Sequence, residues 1–372
     1  MEKLIFRFNN KNLKQNISSK DILGGKGANL AQMAKLGLPV PPGFTISTKV
    51  CKYFYKNNNK IPKKLINHIN NEIKIIEKIS NKKFGGLLNP LLISVRSGSR
   101  VSMPGMMDTI LNLGLNDKTV VALKNKTSNG RFAKDSYRRF IQMYGNVVLG
   151  IESYLFEELI ENYKLTKGVI QDTELMEDDW DGLIKNFKDV VKEKTKNSFP
   201  QDVATQLRGA ISAVFLSWNS KRAKTYRRIN YIPDEWGTAV NIQSMVFGNM
   251  GVNCATGVAF TRNPSSGENE IFGEYLINAQ GEDVVAGTRT PQHITKKARK
   301  KTNSKGLSME ETMPKIFKEL KKIFNQLEKK YKDMQDIEFT VENNKLWMLQ
   351  TRSGKRTAKA AIKIAVDMVS EK

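Results

Sequence analysis

Histidine and cysteine are scarce in this chain of 372 residues, which has two of each. Cys51 and Cys254 lie far apart without metal-ligand spacing, and His68 and His293 add no cluster to them. These counts argue against a zinc centre and a disulfide framework, and they fit a reducing cytosol. The sequence has no run of eighteen apolar residues, and its first residues lack the apolar core of a signal peptide. We therefore expect a cytoplasmic protein with no membrane segment.

Acidic residues are also few: 37 Asp and Glu stand against 61 Lys and Arg, for a formal net charge of +24. This charge suits nucleic acid, but it also suits a polyanionic small molecule such as ATP. The lysines are spread through Asn-rich stretches of the whole chain, and the densest run, 296–301, lies in a predicted basic surface insertion that extends to residue 306. We interpret the charge as a compositional bias and expect no nucleic-acid partner.

The length allows two or three domains with substantial cores. Residues 1–112 mix short strand-like segments with helices, and residues 113–198 have apolar residues at helical spacing. Residues 199–356 begin with a helix and continue as strand-like segments separated by glycine-rich turns, and residues 357–372 form an amphipathic helix. The sequence therefore predicts an α/β protein with a helical subdomain inserted into the α/β body.

Polar side chains follow a strand-like alternation in two segments near the end of the sequence. Successive side chains of a strand point to opposite faces, so Asp336 and Glu338 share one face of the first segment. Gln350 and Arg352 share one face of the second segment. Two carboxylates, an amide oxygen and a guanidinium on one face are typical of a Mg²⁺ site that carries a nucleotide phosphate. The alternative is an ordinary hairpin with a solvated face.

Whether these side chains meet depends on the turn between the two segments. A two-residue turn would pair Glu338 with Leu349 and would split the polar residues between the two faces. An odd, three-residue loop instead sets Glu338 opposite Gln350 and brings all four polar side chains together. We predict this odd loop, with a left-handed residue at Asn344 or Lys345.

Two further motifs are candidates for phosphate binding. The stretch 24–27, Gly-Gly-Lys-Gly, opens a predicted helix, where glycines allow close backbone approach and Lys26 adds a positive charge. A plain helix-entry turn is the alternative. Arg96 ends a mostly apolar strand, and a charge in that position needs a partner, which is either a phosphate or an internal carboxylate.

Two loops complete the candidates. Three methionines flank a Pro-Gly turn in the stretch 103–109, which is either a mobile loop over a ligand or a segment whose methionines fill the core. Glu282 follows a glycine turn, where its carboxylate is suited to a ribose or an adenine amine. A solvated loop acid is the alternative for Glu282.

Taken together, five stretches closely resemble the N-terminal nucleotide-binding domain of the pyruvate, phosphate dikinase family. The stretches are 23–48, 93–115, 131–144, 245–291 and 333–356. Two motifs are specific to the family: SVRSG (94–98) followed by MPGMMDT (103–109), and NPSSG (263–267) ahead of GED (281–283). The resemblance covers nearly the whole chain. It implies an ATP-grasp fold in which ATP is held between two α/β lobes.

The resemblance also implies roles for individual residues. Lys26 and Arg96 would contact phosphates and stabilise charge on the transferred group, and Arg352 would support them. The loop that would close over the phosphates contributes three residues, Met103, Gly105 and Thr109. Arg139 would add another phosphate or domain-docking contact.

The remaining implied residues concern the nucleoside and the metal ion. Gln243 and Glu282 would lie near the adenosine. Mg²⁺ would be held by three residues of the predicted hairpin, Asp336, Glu338 and Gln350. This implied ligand set agrees with the pairing predicted for the hairpin.

The family converts ATP, phosphate and pyruvate into AMP, diphosphate and phosphoenolpyruvate. A histidine on a swivelling central domain attacks the β-phosphorus of ATP and carries the phosphoryl group to a distant pyruvate site. The present sequence contains neither the Thr-Ser-His segment of that domain nor the C-terminal barrel that binds pyruvate. We therefore expect a monomeric domain that binds Mg·ATP without full turnover, with the phosphohistidine domain as its partner in a homodimeric full-length protein. The alternatives are a stand-alone ATP-binding regulatory module and a basic nucleic-acid-binding protein.

Overall fold

A computed structural model describes residues 3–8, 20–286 and 289–371 of the chain. The fold is a mixed α/β arrangement with two five-stranded antiparallel sheets. By its internal contacts the chain divides into a first unit, Met1–Ala31 with Pro42–Met245, and a second unit, Gln32–Pro41 with Val246–Lys372. The prediction of an α/β protein is thus confirmed at the level of its secondary structure.

Strands and helices alternate irregularly along the chain. The strands are β1 (Ile5–Arg7), β2 (Gly43–Ile46), β3 (Lys83–Phe84), β4 (Pro90–Leu91), β5 (Ile93–Gly98), β6 (Thr109–Leu113), β7 (Ala239–Ser244), β8 (Ala255–Phe260), β9 (Phe272–Ile277), β10 (Gln292–His293), β11 (Gln335–Glu342) and β12 (Lys345–Ser353). The helices are α1 (Lys20–Lys35), α2 (Thr48–Lys56), α3 (Lys63–Ser80), α4 (Thr119–Thr127), α5 (Gly130–Val147), α6 (Tyr154–Lys167), α7 (Glu177–Thr195), α8 (Val203–Ser217), α9 (Lys221–Ile229), α10 (Gly281–Ala286), α11 (Lys296–Thr302), α12 (Met309–Thr312), α13 (Pro314–Tyr331) and α14 (Ala358–Ser370).

The sheet of the first unit has the strand order β1-β2-β7-β5-β6, and every neighbouring pair is antiparallel. All residues of β2 and β7 are buried, including polar ones. Buried polar side chains need hydrogen-bond partners, so this sheet holds a polar network inside an otherwise apolar core. That network includes the candidate residues Arg96 and Gln243.

The helices α4 to α7 occupy the stretch that the sequence predicts to be helical. Their apolar faces meet around buried aromatic residues such as Phe156, Trp180 and Phe187. These helices belong to the first unit, and residues 203–244 belong to it as well. The predicted boundary at residue 199 stays a prediction. In the structure, β7 belongs to the sheet of the first unit because it pairs with β2 and β5 from far along the chain.

The sheet of the second unit has the strand order β10-β9-β8-β11-β12 and is also antiparallel throughout. Helix α13 is amphipathic and buries residues at helical spacing, among them Leu320, Phe324 and Leu327. Helix α14 buries Ala360 and Ile364 against Met334. None of the helices in the described ranges combines the length and the apolar character needed to cross a membrane.

Candidate functional site

The turn between β11 and β12 has two residues rather than the predicted three. Glu342 lies opposite Lys345, which leaves Asn343 and Asn344 as the turn. Both asparagines are left-handed, with φ of 49° and 59°. Two consecutive left-handed residues match the right-handed twist of the flanking strands, and asparagine tolerates that conformation. The prediction of an odd loop is therefore wrong, although a left-handed Asn344 was one of its two options.

The predicted pairing of the polar residues is nevertheless confirmed, for a different reason. Phe339 lies opposite Met348, but Glu338 lies opposite Gln350, so Leu349 is an extra residue in β12. This β-bulge shifts the pairing by one position on the far side from the turn. Beyond the bulge, Asp336 lies opposite Arg352.

Two hydrogen bonds join the polar side chains across the hairpin. Gln350 Nε2 donates to Glu338 Oε1 over 2.8 Å, and Arg352 Nε donates to Asp336 Oδ2 over 2.7 Å. Asp336 is buried, whereas the Arg352 side chain is about half exposed. These four residues share one face of the hairpin, and we call them the hairpin cluster.

The donor set of the hairpin cluster fits a magnesium ion. Gln350 donates to Glu338 through its amide nitrogen, so the amide oxygen of Gln350 can bind another group. Across the described ranges, no group of three or more His, Cys, Asp and Glu side chains is arranged to hold a metal ion. Mg²⁺, however, is usually held by one or two carboxylates, with waters and substrate phosphates completing its shell. Asp336 and Glu338 supply that number.

A kink at Gly24 sets the position of Lys26 in the first unit. Gly24 has φ of 67° and ψ of 172° inside α1, so the helix is interrupted there and resumes just before Lys26. A side chain at Gly24 would overlap the carbonyl oxygen of Gly98, and the backbone N–H of Gly25 donates to Ser99 O over 2.8 Å. The start of the resumed helix is thereby tied to the end of β5, the strand that carries Arg96.

Arg96 is buried on β5, and its guanidinium donates a hydrogen bond to Gln243 Oε1. One partner of Arg96 is therefore a side-chain amide oxygen, and the two alternatives from the sequence, a phosphate or an internal carboxylate, stay predictions. Arg96 also lies opposite Thr109 on β6 and opposite Asn241 on β7. The structure thus brings three sequence-predicted residues, Arg96, Thr109 and Gln243, into one region of the sheet.

The stretch 103–109, which we call the methionine loop, contacts α8 and α9. Met103 is buried beside Trp218 and Ala223, as expected for a methionine that fills the core. Asp108 forms an ion pair with Arg222, and burial raises the pKa of Asp108 although this arginine opposes the shift. Gly105 is exposed, has φ of 70° and would meet no neighbour if it carried a side chain.

Arg139 and Glu282 lie in helices. Arg139 Nε donates to Asp135 Oδ2 over 3.1 Å within α5. Burial by itself would raise the pKa of Asp135, but Arg139, Arg138 and Arg131 together hold it below its usual value. Glu282 is partly buried in α10.

Sequence reasoning missed two buried polar residues of the first sheet, Thr45 and Asn241. The Thr45 hydroxyl donates to Asn241 Oδ1 over 2.8 Å. The signal for Asn241 was present, because Asn241 and Gln243 alternate with apolar residues in β7 and therefore share one face. No comparable signal marks Thr45, whose contact with Asn241 depends on the pairing of β2 with β7.

Several known proteins are similar to this chain along its whole length. The family described as "Pyruvate phosphate dikinase, AMP/ATP-binding domain" matches residues 20–75, 58–317 and 303–372. Pyruvate, phosphate dikinase of Rhizobium meliloti (strain 1021) is 56% identical over 371 residues, and that of Clostridium symbiosum is 52% identical over 372. The chloroplastic enzyme of Flaveria pringlei is 52% identical over 370 residues.

Each of these alignments covers 100% of the present chain. They cover 41% of the two bacterial enzymes and 37% of the Flaveria enzyme, so the chain spans about two fifths of the length of these relatives. The family match extends over nearly all described residues. The chain therefore belongs to the pyruvate phosphate dikinase AMP/ATP-binding domain family.

Proposed function

We propose that this chain binds Mg·ATP through an ATP-grasp fold with a helical subdomain at residues 113–198. The observation that carries the proposal is the hairpin cluster, where Glu338 and Asp336 face Gln350 and Arg352. Bound Mg²⁺ would neutralise charge on the phosphates of the nucleotide. Asp336, Glu338 and the amide oxygen of Gln350 are the residues that would hold it, and Arg352 would support the phosphates.

The cations of the first unit are the proposed phosphate ligands. Lys26 begins a helical segment, and Arg96 is a guanidinium in a largely buried setting, where its charge acts strongly on a phosphate. The hydrogen bond from Arg96 to Gln243 supports a role for Gln243 in orienting that guanidinium, in addition to a contact near the adenosine. Both cations would stabilise charge on the transferred group.

The other predicted contacts are part of the same proposal. The loop with Met103, Gly105 and Thr109 would cover the phosphates, and Glu282 would lie near the adenosine. Arg139 would add a phosphate or domain-docking contact.

In a protein as long as its relatives, we propose that this domain serves the pyruvate, phosphate dikinase reaction. ATP, phosphate and pyruvate would give AMP, diphosphate and phosphoenolpyruvate, with a phosphohistidine on a separate domain as the carrier. The domain by itself would bind Mg·ATP without full turnover. It would be monomeric alone and part of a homodimer in the full-length protein.

Calorimetric titration of Mg·ATP tests the proposal on five proteins: the wild type, Glu338→Gln, Lys26→Met and two controls. The controls are Glu319→Gln on α13 and Lys35→Met on α1, which make the same changes at exposed positions. We expect each site variant to weaken binding at least about tenfold, since lost metal-site and charge-stabilising groups have effects of this size. The controls should bind like the wild type.

Repeating the titrations with EDTA separates the metal from the phosphate contacts. The Glu338→Gln variant should then bind like the wild type, whereas Lys26→Met should remain weaker. A folded wild type that binds no Mg·ATP, or site variants that bind as well as the controls, would contradict the proposal.

A further inference from the structure

A row of polar side chains crosses the first sheet beside Arg96. Asn241 on β7 lies opposite Thr45 on β2 and opposite Arg96 on β5, and Arg96 lies opposite Thr109 on β6. Residues directly opposite one another in neighbouring strands point to the same face of a sheet. The row therefore brings Thr45, Asn241 and Thr109 to the face of the sheet that carries the Arg96 guanidinium.

Thr45 and Asn241 are completely buried, and they bond to each other through the Thr45 hydroxyl and Asn241 Oδ1. The other amide atom, Asn241 Nδ2, has no hydrogen-bond acceptor within the part of the chain that the structure describes. A buried donor without an acceptor destabilises a fold. Stability alone is therefore a poor explanation for an asparagine at this position.

The Asn241 amide lies between two backbone segments. A Cβ atom at Gly27 would be 2.6 Å from Thr45 Oγ1 and 2.8 Å from Asn241 Oδ1, which is closer than real Cβ atoms approach. On the other side, a Cβ atom at Gly98 would be 2.5 Å from Asn241 Nδ2. Gly27 follows Lys26 in the helix, and Gly98 ends the strand of Arg96. The amide is thus in close contact with the backbones that carry both proposed phosphate ligands.

We infer that Thr45 and Asn241 are positioning residues that set the spacing between Lys26 and Arg96, and hence the affinity for a polyphosphate. Both side chains project from hydrogen-bonded strands of the sheet, which hold them in place. Because Gly27 has no side chain, the backbone of α1 packs directly against Thr45 and Asn241. A small displacement of either cationic side chain would strongly reduce its contribution to polyphosphate binding. This inference deepens the proposed function and rests on it, because it concerns the same phosphate site.

The test measures binding of inorganic triphosphate, Mg·ATP and adenosine by calorimetry. Gly27→Ala places a methyl group against Thr45 and Asn241. We expect this variant to bind triphosphate and Mg·ATP at least about tenfold more weakly, while its affinity for adenosine is unchanged. Gly182→Ala on α7 is the control, since a methyl group there meets nothing closer than 3.9 Å. Thr45→Val replaces the hydroxyl by a methyl group and should weaken triphosphate binding, whereas Thr45→Ser keeps the hydroxyl and should bind triphosphate like the wild type.

Lys26→Met separates failure of this inference from failure of the proposed function. If Lys26→Met binds triphosphate like the wild type, the proposed phosphate site is wrong. If Lys26→Met loses affinity while Gly27→Ala and Thr45→Val bind like the wild type, the positioning role is overturned. Equal losses for adenosine and triphosphate would also overturn it, because they indicate general structural damage. Circular dichroism and urea unfolding establish that each variant is folded.

Discussion

Gln350 donates a 2.8 Å hydrogen bond to Glu338 across the β11–β12 hairpin, although a regular ladder from the two-residue turn would put Leu349 in that place. The extra residue moves Gln350 and Arg352 onto the face that carries Glu338 and Asp336. The bulge at Leu349, rather than the turn, therefore assembles the hairpin cluster.

The first prediction concerns Gln350. Gln350→Leu removes both the amide donor to Glu338 and the amide oxygen, so we expect it to weaken Mg·ATP binding about tenfold, as is common when a metal-site partner is lost. Gln350→Glu keeps an oxygen at the same position and should retain more of the affinity. Calorimetry measures the Mg·ATP affinity of both variants. Equal affinities for Gln350→Leu and the wild type would rule out a role for the Gln350 side chain in Mg·ATP binding.

The second prediction concerns the turn at Asn344, which has φ of 59°. Asn344→Ala should lower the free energy of unfolding by about 1–2 kcal/mol, because a left-handed conformation strains a residue that has a Cβ atom. Asn344→Gly should be neutral or stabilising, since Asn-Gly suits this kind of turn. Both variants keep the backbone N–H that donates to Asn253 O. Urea unfolding of the pair checks the prediction, which fails if alanine and glycine are equivalent.

The third prediction compares two left-handed glycines. Gly24 has φ of 67° and packs on the carbonyl oxygen of Gly98, whereas Gly37 has φ of 77° and no atom within 4 Å of the position that a methyl group would occupy. Gly37→Ala should destabilise by about 1–2 kcal/mol through backbone strain alone. Gly24→Ala adds overpacking of about 1–3 kcal/mol. Thermal unfolding should therefore rank Gly24→Ala clearly below Gly37→Ala, and the reverse order would contradict the packing seen at the kink.

The fourth prediction concerns acid stability and Asp135. Burial by itself would raise the pKa of Asp135, but the arginines beside it hold the pKa below its usual value. The ionised carboxylate therefore adds stability that is present above about pH 4 and is lost as the pH falls through the folded-state pKa. Asp135→Asn should lower the free energy of unfolding at pH 7 by about 3–5 kcal/mol, the usual effect of breaking a buried ion pair. It should also flatten the decline in stability below about pH 4.

The control for Asp135 is Asp181→Asn. Asp181 pairs with Lys134 in the same unit, but its side chain is 54% exposed. Its loss should change the free energy of unfolding at pH 7 by less than about 1 kcal/mol. Urea unfolding between pH 7 and pH 3 provides both comparisons. A wild-type decline in acid that is no steeper than that of Asp135→Asn would disprove the assignment.

Much of the fold was predictable because it depends on local periodicity. The helical stretch 113–198, the buried strand that ends near Arg96 and the two strands of the hairpin all have clear apolar spacing. The place of β7 in the first sheet was not predictable, since it depends on pairings with β2 and β5. Such pairings between distant segments leave no local signal.

The amino-acid sequence by itself determined which side chains share a face. Asp336 lies two residues from Glu338, and Asn241 lies two residues from Gln243, so strand geometry aligns each pair. Only the tertiary structure decided what those faces meet. The bulge at Leu349 sets the hairpin pairing, and the strand order brings Gln243 to Arg96 across 147 positions of sequence. The physical reason is that register and strand neighbours depend on packing of the whole sheet, which no single segment specifies.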